Sequence, residues 1–227
     1  MPPAAASVRV GSKIPKMIGT TQMGTIKLHD YIDGAWTLLL TFPQDFHPVW
    51  ATELGMLTKL KPQFDARNCR VLGLSVGSLK QQARFLDDVN ETQDVQVNFP
   101  IFADESGDLS RTLGLISPSA PVHGSEHFKL PYSAAFLLDI DMIVQFVFYY
   151  PVAVGRNLYE FIRVLDGLQL TAYNQVVLPT NWKVNDDVFI EPDITSDAAK
   201  ALFPHGFHEL KPYFRVTPSP TLTEDQS

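Results

Sequence analysis

The chain has 227 residues, 45% of them hydrophobic, enough to bury a full core as one domain or as one domain with an appendage. Its 18 Lys+Arg against 25 Asp+Glu give a formal net charge of −7, which disfavours nucleic acid and anionic membranes as bulk partners. No apolar run is long enough for a transmembrane helix, and Met1 to Arg9 lacks the basic start and long apolar stretch of a secretory signal. A single arginine also makes it a poor mitochondrial presequence. The only cysteine, Cys69, excludes an internal disulfide and suits a reducing compartment, with the cytosol as the expectation.

Residues 1–16, rich in Pro, Ala and Ser, read as a loose arm. Trp36 to Phe42 is a continuous apolar run of the length of a buried central strand. Pro48 to Arg67 then carries helical spacing at Val49, Leu54, Leu57, Leu60 and Phe64; Pro48 suits the first turn and Pro62 is expected to kink or shorten the end. Arg70 to Val76 is a second buried strand and Ser78 to Asn90 a second helix. Phe99 to Phe102 is extended, and Ser106 is placed to cap a helix running to Leu113.

Ser117 to Pro131 reads as a loop, followed by a hairpin of Ser133 to Leu138 and Met142 to Tyr150 around Asp139-Ile140-Asp141, and by a helix from Arg156 to Leu168. Strands alternating with helices and closing on a hairpin fit an α/β sheet covered on both faces. Beyond Thr171 the texture changes: prolines and the irregularly spaced Trp182, Phe189, Phe203, Phe207 and Phe214 indicate a small appended lobe with too few periodic apolar positions for a core of its own. The expected division is an arm over 1–16, a main domain over 17–170, a C-terminal domain over 171–218 and a polar, disordered tail over 219–227.

Thr41-Phe42-Pro43-Gln44-Asp45-Phe46-His47-Pro48-Val49-Trp50, with Thr52-Glu53-Leu54 after it, resembles the active-site signature of the peroxiredoxins. Phe99-Pro100-Ile101, Gly155-Arg156-Asn157 and Leu168-Gln169-Leu170-Thr171-Ala172-Tyr173-Asn174 extend the resemblance over most of the chain, toward the 1-Cys subfamily that carries a C-terminal domain. The resemblance implies a thioredoxin-like (peroxiredoxin) α/β fold: a mixed central sheet with helices on both faces, plus a small C-terminal domain. It also implies a peroxidatic cysteine opening the helix, where free backbone N–H groups and the helix dipole stabilise a thiolate. That position is Trp50 here. The hydroxyl position falls at His47 and the active-site arginine of the strand at Ser133, while Pro43 and a more distal arginine, Arg156, are retained. An indole cannot serve as a thiolate nucleophile. A subfamily member also resembles a phospholipase with a Ser-His-Asp set; His29 and Asp141 fall on its histidine and aspartate, but its serine falls at Ala35.

Several residues keep two readings. Trp50 either fills the space left where Ser133 replaces an arginine or is an exposed partner anchor. His47 is either hydrogen-bonded to loop backbone or a new acid–base group. Glu53 is explained by the dipole of its helix. Cys69 is either a plain core residue or a displaced redox thiol whose pKa Arg67 and Arg70 depress. His123/His127 and His205/His208 have spacings a metal could use but no clear further ligand, so no metal and no cofactor is expected.

The strand around Ile143, Gln145, Phe146, Val147 and Phe148 is apolar on both faces; the family resemblance implies that it pairs with its twin in a homodimer, the alternative being a cover from the C-terminal lobe. The expected function is that of a catalytically degenerate peroxiredoxin-like protein serving as a structural or protein-binding subunit of a larger assembly, without nucleic-acid binding or membrane insertion. The alternatives are an antioxidant protein, altered peroxidase or redox sensor, acting through Cys69, and a small-molecule binder using the former active-site pocket. Mitochondrial, ciliary or cytoskeletal association stands beside the cytosol.

Overall fold

The computed structural model describes residues 8–116 and 132–220. Its contacts divide the chain into two compact units after Leu158, twelve residues ahead of the boundary expected at 170.

The first unit is built on a seven-stranded mixed sheet of order β2-β1-β5-β4-β3-β6-β7. Its strands are β1 (Ile18–Thr21), β2 (Gly24–Lys27), β3 (Trp36–Phe42), β4 (Cys69–Ser75), β5 (Ile101–Ala103), β6 (Ser133–Leu138) and β7 (Val144–Tyr150); its helices are α1 (Leu28–Ile32), α2 (Pro48–Asp65), α3 (Leu79–Gln93) and α4 (Asp108–Thr112). β3, β4 and β5 are parallel neighbours, and β6 and β7 add antiparallel to β3. Every residue of β3 and of β6 is buried, as a central strand with both faces covered requires. Leu39, Leu72, Leu74, Phe102 and Phe136 form one core cluster with Leu28 and Ile32 of α1. α2 packs on α3 and β4 through Leu54, Leu57, Leu60 and Phe64.

Local chemistry sets the ends. Ser78 caps α3 in a capping box with Gln81. Pro62 falls in the last turn of α2, where its missing N–H costs one hydrogen bond, so the helix runs on to Asp65 instead of stopping early. Gly107, in the left-handed region at φ 74°, rather than Ser106, sits at the N-cap of α4; the Ser106 hydroxyl bonds Asp108 instead.

Residues 8–16 are not a loose arm. Val8 and Ile14 are buried, and this segment runs along the end of β7: Gly11 N–H donates to Val144 O, Val144 N–H to Ser12 O, and Lys13 bridges Ile143. Two of the expected interface positions are therefore engaged within the chain, Ile143 by this bridge and Gln145 by a 2.6 Å bond to the Asp139 carboxylate. Only Val144 of β7 is fully buried. Phe148 and Tyr149 are exposed, and the rings of Phe146, Phe148 and Tyr150 follow one another along one face at 5.8 and 5.1 Å.

The second unit begins within α5 (Leu158–Tyr173), which is longer at its C-terminal end than the sequence pattern indicates. It continues through β8 (Val176–Val177), β9 (Val188–Ile190), α6 (Ser196–Leu202), β10 (His208–Lys211) and β11 (Phe214–Thr217). The strands form a sheet of order β10-β11-β9-β8. The lobe does have a small core: Leu170, Val176, Trp182 and Val188, with Leu178 and Phe203 against them. Sequence periodicity missed it because its members come from a helix, two short strands and a loop. Thr217, the last residue of β11, is buried. The tail beyond 220, the 117–131 loop and His123/His127 lie outside the described residues.

Candidate functional site

β3 is the apolar rail that delivers the motif. It ends at Phe42 and the buried Pro43; residues 44–47 turn, and α2 starts at Pro48. The turn requires Phe46 at φ 56°, a left-handed conformation that a bulky side chain adopts at a cost on the order of 1–3 kcal/mol. Phe46 is held there half-exposed, its ring 5.5 Å from that of Phe85 on α3. His47 is the N-cap, extended at φ −118° and ψ 129°, with no side-chain cap; its carbonyl accepts from Ala51 N–H at 3.0 Å. Because Pro48 has no N–H, the first-turn amides of Val49 and Trp50 are the orphan donors of the helix.

Trp50 stands where such donors would face an anion. Its indole is 1% exposed and stacks on the His47 imidazole, ring centroids 3.9 Å apart at 36°. An indole this deeply buried is no exposed partner anchor. His47 Nδ1 is buried without a hydrogen-bond partner, so the expected bond to loop backbone is absent at this atom. Stacking on Trp50 is what holds the ring.

Behind this pair lies a buried ion pair. Arg156 Nε donates to both Glu53 carboxylate oxygens at 3.1 Å, Nη2 donates to Oε2, and the Arg156 backbone N–H donates to Oε1 at 2.7 Å. Nη1 donates to Ala134 O at 2.8 Å, and the guanidinium lies 5.1 Å over the Phe42 ring. The Arg156 side chain is fully buried and that of Glu53 nearly so. The helix dipole does not explain Glu53, which is beyond the first turn. It lies on the stripe of Trp50, Leu54 and Leu57, and a carboxylate on a buried stripe is the sequence signal for an opposing cation. Ser133, at the head of β6, is buried next to Ala134. Thr41 ties that strand to β3: its hydroxyl accepts from Ala134 N–H at 2.9 Å and faces Tyr132 O at 3.1 Å.

Asp45, on the loop itself, is a second carboxylate and is half-buried. Burial pushes its carboxyl up to about 6, against a smaller lowering by the Ser75 hydroxyl. Its Oδ2 has no hydrogen-bond partner and lies where a Cβ on Gly77 would meet it at 2.5 Å, so a side chain at Gly77 would push the Asp45 carboxylate aside.

Cys69 is elsewhere. It pairs with Trp36 at the start of β3, six residues and about 20 Å of strand from the motif loop. The thiol is 1% exposed, and its Sγ is 3.7 Å from Arg70 O. Burial pushes its pKa far above the ordinary thiol range, outweighing the opposite effect of Arg67, so the neighbouring arginines do not activate it. His29 is half-buried, Ala35 buried and Asp141 exposed. The pairing of Thr37 with Leu138 brings the Ala35 and Asp141 segments to one end of the sheet, but His29 and Asp141 share no hydrogen bond among the described residues. His205 and His208 are exposed, and no group of His, Cys, Asp and Glu suited to a metal occurs among the described residues.

Comparison with known proteins agrees with this architecture. Residues 10–147 match the AhpC/TSA family and residues 167–206 the C-terminal domain of 1-Cys peroxiredoxin. The chain is 38% identical over 218 residues to a 1-Cys peroxiredoxin of Dictyostelium discoideum, covering 96% of this chain and 88% of that one. It superposes on the structure of the yeast mitochondrial 1-Cys peroxiredoxin with a TM-score of 0.89 at 36% identity, over 93% of this chain and all of that one. A cysteine-to-serine mutant of peroxiredoxin 6 from Arenicola marina gives a TM-score of 0.86 at 31% identity, over 95% of this chain and all of that one. With the thioredoxin-like sheet, the motif loop and the small C-terminal sheet unit in place, the chain belongs to the peroxiredoxin family, in its 1-Cys branch with a C-terminal domain.

Proposed function

We propose that this peroxiredoxin is redox-inert and acts as a protein-binding or structural subunit. The observation that carries the proposal is the buried stack of Trp50 on His47 at the N-terminus of α2, where the family resemblance places the peroxide-reducing thiol and the peroxide-orienting hydroxyl. Peroxide reduction needs an ionisable thiol within reach of substrate. The one cysteine of the chain is buried and held protonated at the other end of β3. Ser133 at the arginine position and Ala35 at the hydrolase serine position extend the loss to both inherited chemistries. The Arg156–Glu53 pair is retained as a strut between α2, β6 and the segment before α5.

The proposed assembly is a homodimer through the edge of β7, centred on Phe146, Val147 and Phe148 and flanked by Ile143 and Gln145. The exposed Phe148 and Tyr149 on a terminal strand support it. The proposed setting is the cytosol or, by analogy with the yeast mitochondrial relative, the mitochondrion, in a larger complex. No helix among the described residues is long and apolar enough to cross a membrane.

The test is peroxide consumption by the purified chain with thiol reductants, together with native co-purification and size measurement. No turnover, none gained in Trp50→Cys because His47 and Ser133 remain, and recovery in a larger complex is the expected result. Substantial turnover by the wild-type chain overturns the reading. A second reading, an antioxidant protein acting through Cys69, is favoured by the names of the relatives, which are 1-Cys peroxiredoxins. It requires that Cys69→Ser abolish peroxide consumption.

A further inference from the structure

Beside the closed site lies an open groove of about 350 Å³, lined by Phe46, His47, Pro48 and Ala51 on one wall and by Phe85 and Asp88 of α3 on the other. We propose that this groove is the docking surface for a basic, amphipathic segment of a partner protein: apolar side chains against Phe46 and Pro48, and Lys or Arg along the α3 rim. The inference rests on the protein-binding reading above and assigns that binding to a place.

The apolar part of the argument is Phe46. The residue is 52% exposed, yet its backbone occupies the left-handed region at φ 56°. A strained residue persists only where the surroundings over-determine it, and the result here is an aromatic ring presented at the groove mouth against Phe85. Pro48 and Ala51 continue the apolar wall along the first turn of α2, and the buried Trp50 behind them leaves this wall without a reactive group.

The charge argument comes from α3. Phe85, Asp88 and Thr92 share one helix face by their spacing and line the groove. Asp87 and Glu91 flank that face, and Asp94 caps the helix. All four carboxylates are exposed, and none makes a salt bridge among the described residues. A helix C-terminus carries partial negative charge and favours cations, but the last turn of α3 has no basic residue. Lys80 and Arg84, two turns and one turn before Asp88, are the cations on that flank of the helix, and no further cation follows them up to Asp94. The rim is thus a local negative field beside an apolar trough, and the complementary occupant is cationic and amphipathic.

The experiment pans a displayed random peptide library on the intact chain and measures the enriched peptides, made synthetically, by fluorescence anisotropy. They are expected to combine Lys or Arg with bulky apolar residues and to bind more weakly as salt rises. Phe46→Asn, which keeps the left-handed backbone tolerable while removing the ring, is expected to weaken binding about tenfold. Asp88→Lys should weaken it by a smaller factor, and Tyr213→Ser, on an exposed site of the second unit, should leave it unchanged. Circular dichroism establishes that each variant is folded. Failure to enrich any peptide, enrichment of acidic peptides, or binding indifferent to Phe46→Asn and Asp88→Lys overturns the groove; in the last case the protein-binding reading survives at another surface. A shift of Phe46→Asn to a smaller species on sizing shows that a second copy of the chain covers the groove, and also overturns the proposal. Peroxide turnover that depends on Cys69 brings down the underlying reading whatever the peptides do.

Discussion

Two carboxylates, the buried Glu53 and the half-buried Asp45, stand within one loop and two helical turns of each other and are treated in opposite ways. Glu53 accepts from the Arg156 backbone N–H, Nε and Nη2, and its cation is in turn held by Ala134 O and the Phe42 ring. Asp45 is half-buried with one buried oxygen unpartnered and its carboxyl pushed up to about 6. The comparison teaches that burial by itself says little about a charge in this fold; what matters is whether a second segment delivers donors to it. Glu53 receives them from a residue more than a hundred positions away, and Asp45 receives only the Ser75 hydroxyl.

Breaking the paired member should have the largest effect. Glu53→Gln leaves the Arg156 guanidinium buried without a counter-charge and is expected to destabilise the fold by about 3–5 kcal/mol. Urea unfolding followed by circular dichroism measures this. Replacing both partners together, Glu53→Leu with Arg156→Met, is expected to cost less than Glu53→Gln alone. A double variant worse than the single one would show that the pair contributes more than it costs to bury.

The unpaired member should behave in the reverse sense. Because the folded pKa of Asp45 is raised from 3.8 to about 6, its ionised form is disfavoured in the fold. The penalty is absent below about pH 3.8, grows as pH rises, and is complete above about pH 6. Asp45→Asn is therefore expected to stabilise the chain at neutral pH by about 1–2 kcal/mol after allowance for solvent screening, and to leave stability unchanged near pH 3.5. Melting curves at a series of pH values check it; equal effects at both ends would mean that Asp45 finds a partner when charged. Smallest in energy is Cys69→Ala, expected to cost under about 1.5 kcal/mol. The same site predicts that Ellman's reagent leaves the native thiol unlabelled and labels it fully once the chain is unfolded. Fast native labelling would reopen the Cys69 reading.

The sequence carried the motif loop and its neighbours well. WTLLLTF became β3 without a shift, since a short, wholly apolar run next to a proline has few other solutions. Ser78 announced its helix because a capping box is a local device. Where the sequence misled, the cause was distance along the chain. Residues 8–16 read as an arm until Gly11, Ser12 and Ile14 met the Met142–Val144 turn. The second unit read as coreless until Trp182 met Leu170 and Val188. Cys69 kept two readings in the sequence, core residue or activated thiol, and its burial in the fold favours the first.

What the sequence by itself determined is the lineage; the proposal that Trp50 takes the place of a family member's thiol builds on it, since no packing can give an indole that chemistry. Only the tertiary structure decided where the Trp50 ring goes. Whether the ring projects or is buried depends on the space left by β6, α2 and the loop, which no local window records. The fold buries Trp50 against His47, leaves Asp45 unpaired and turns Phe46 outward, because side-chain burial is set by the elements that close over a residue, not by its neighbours in sequence.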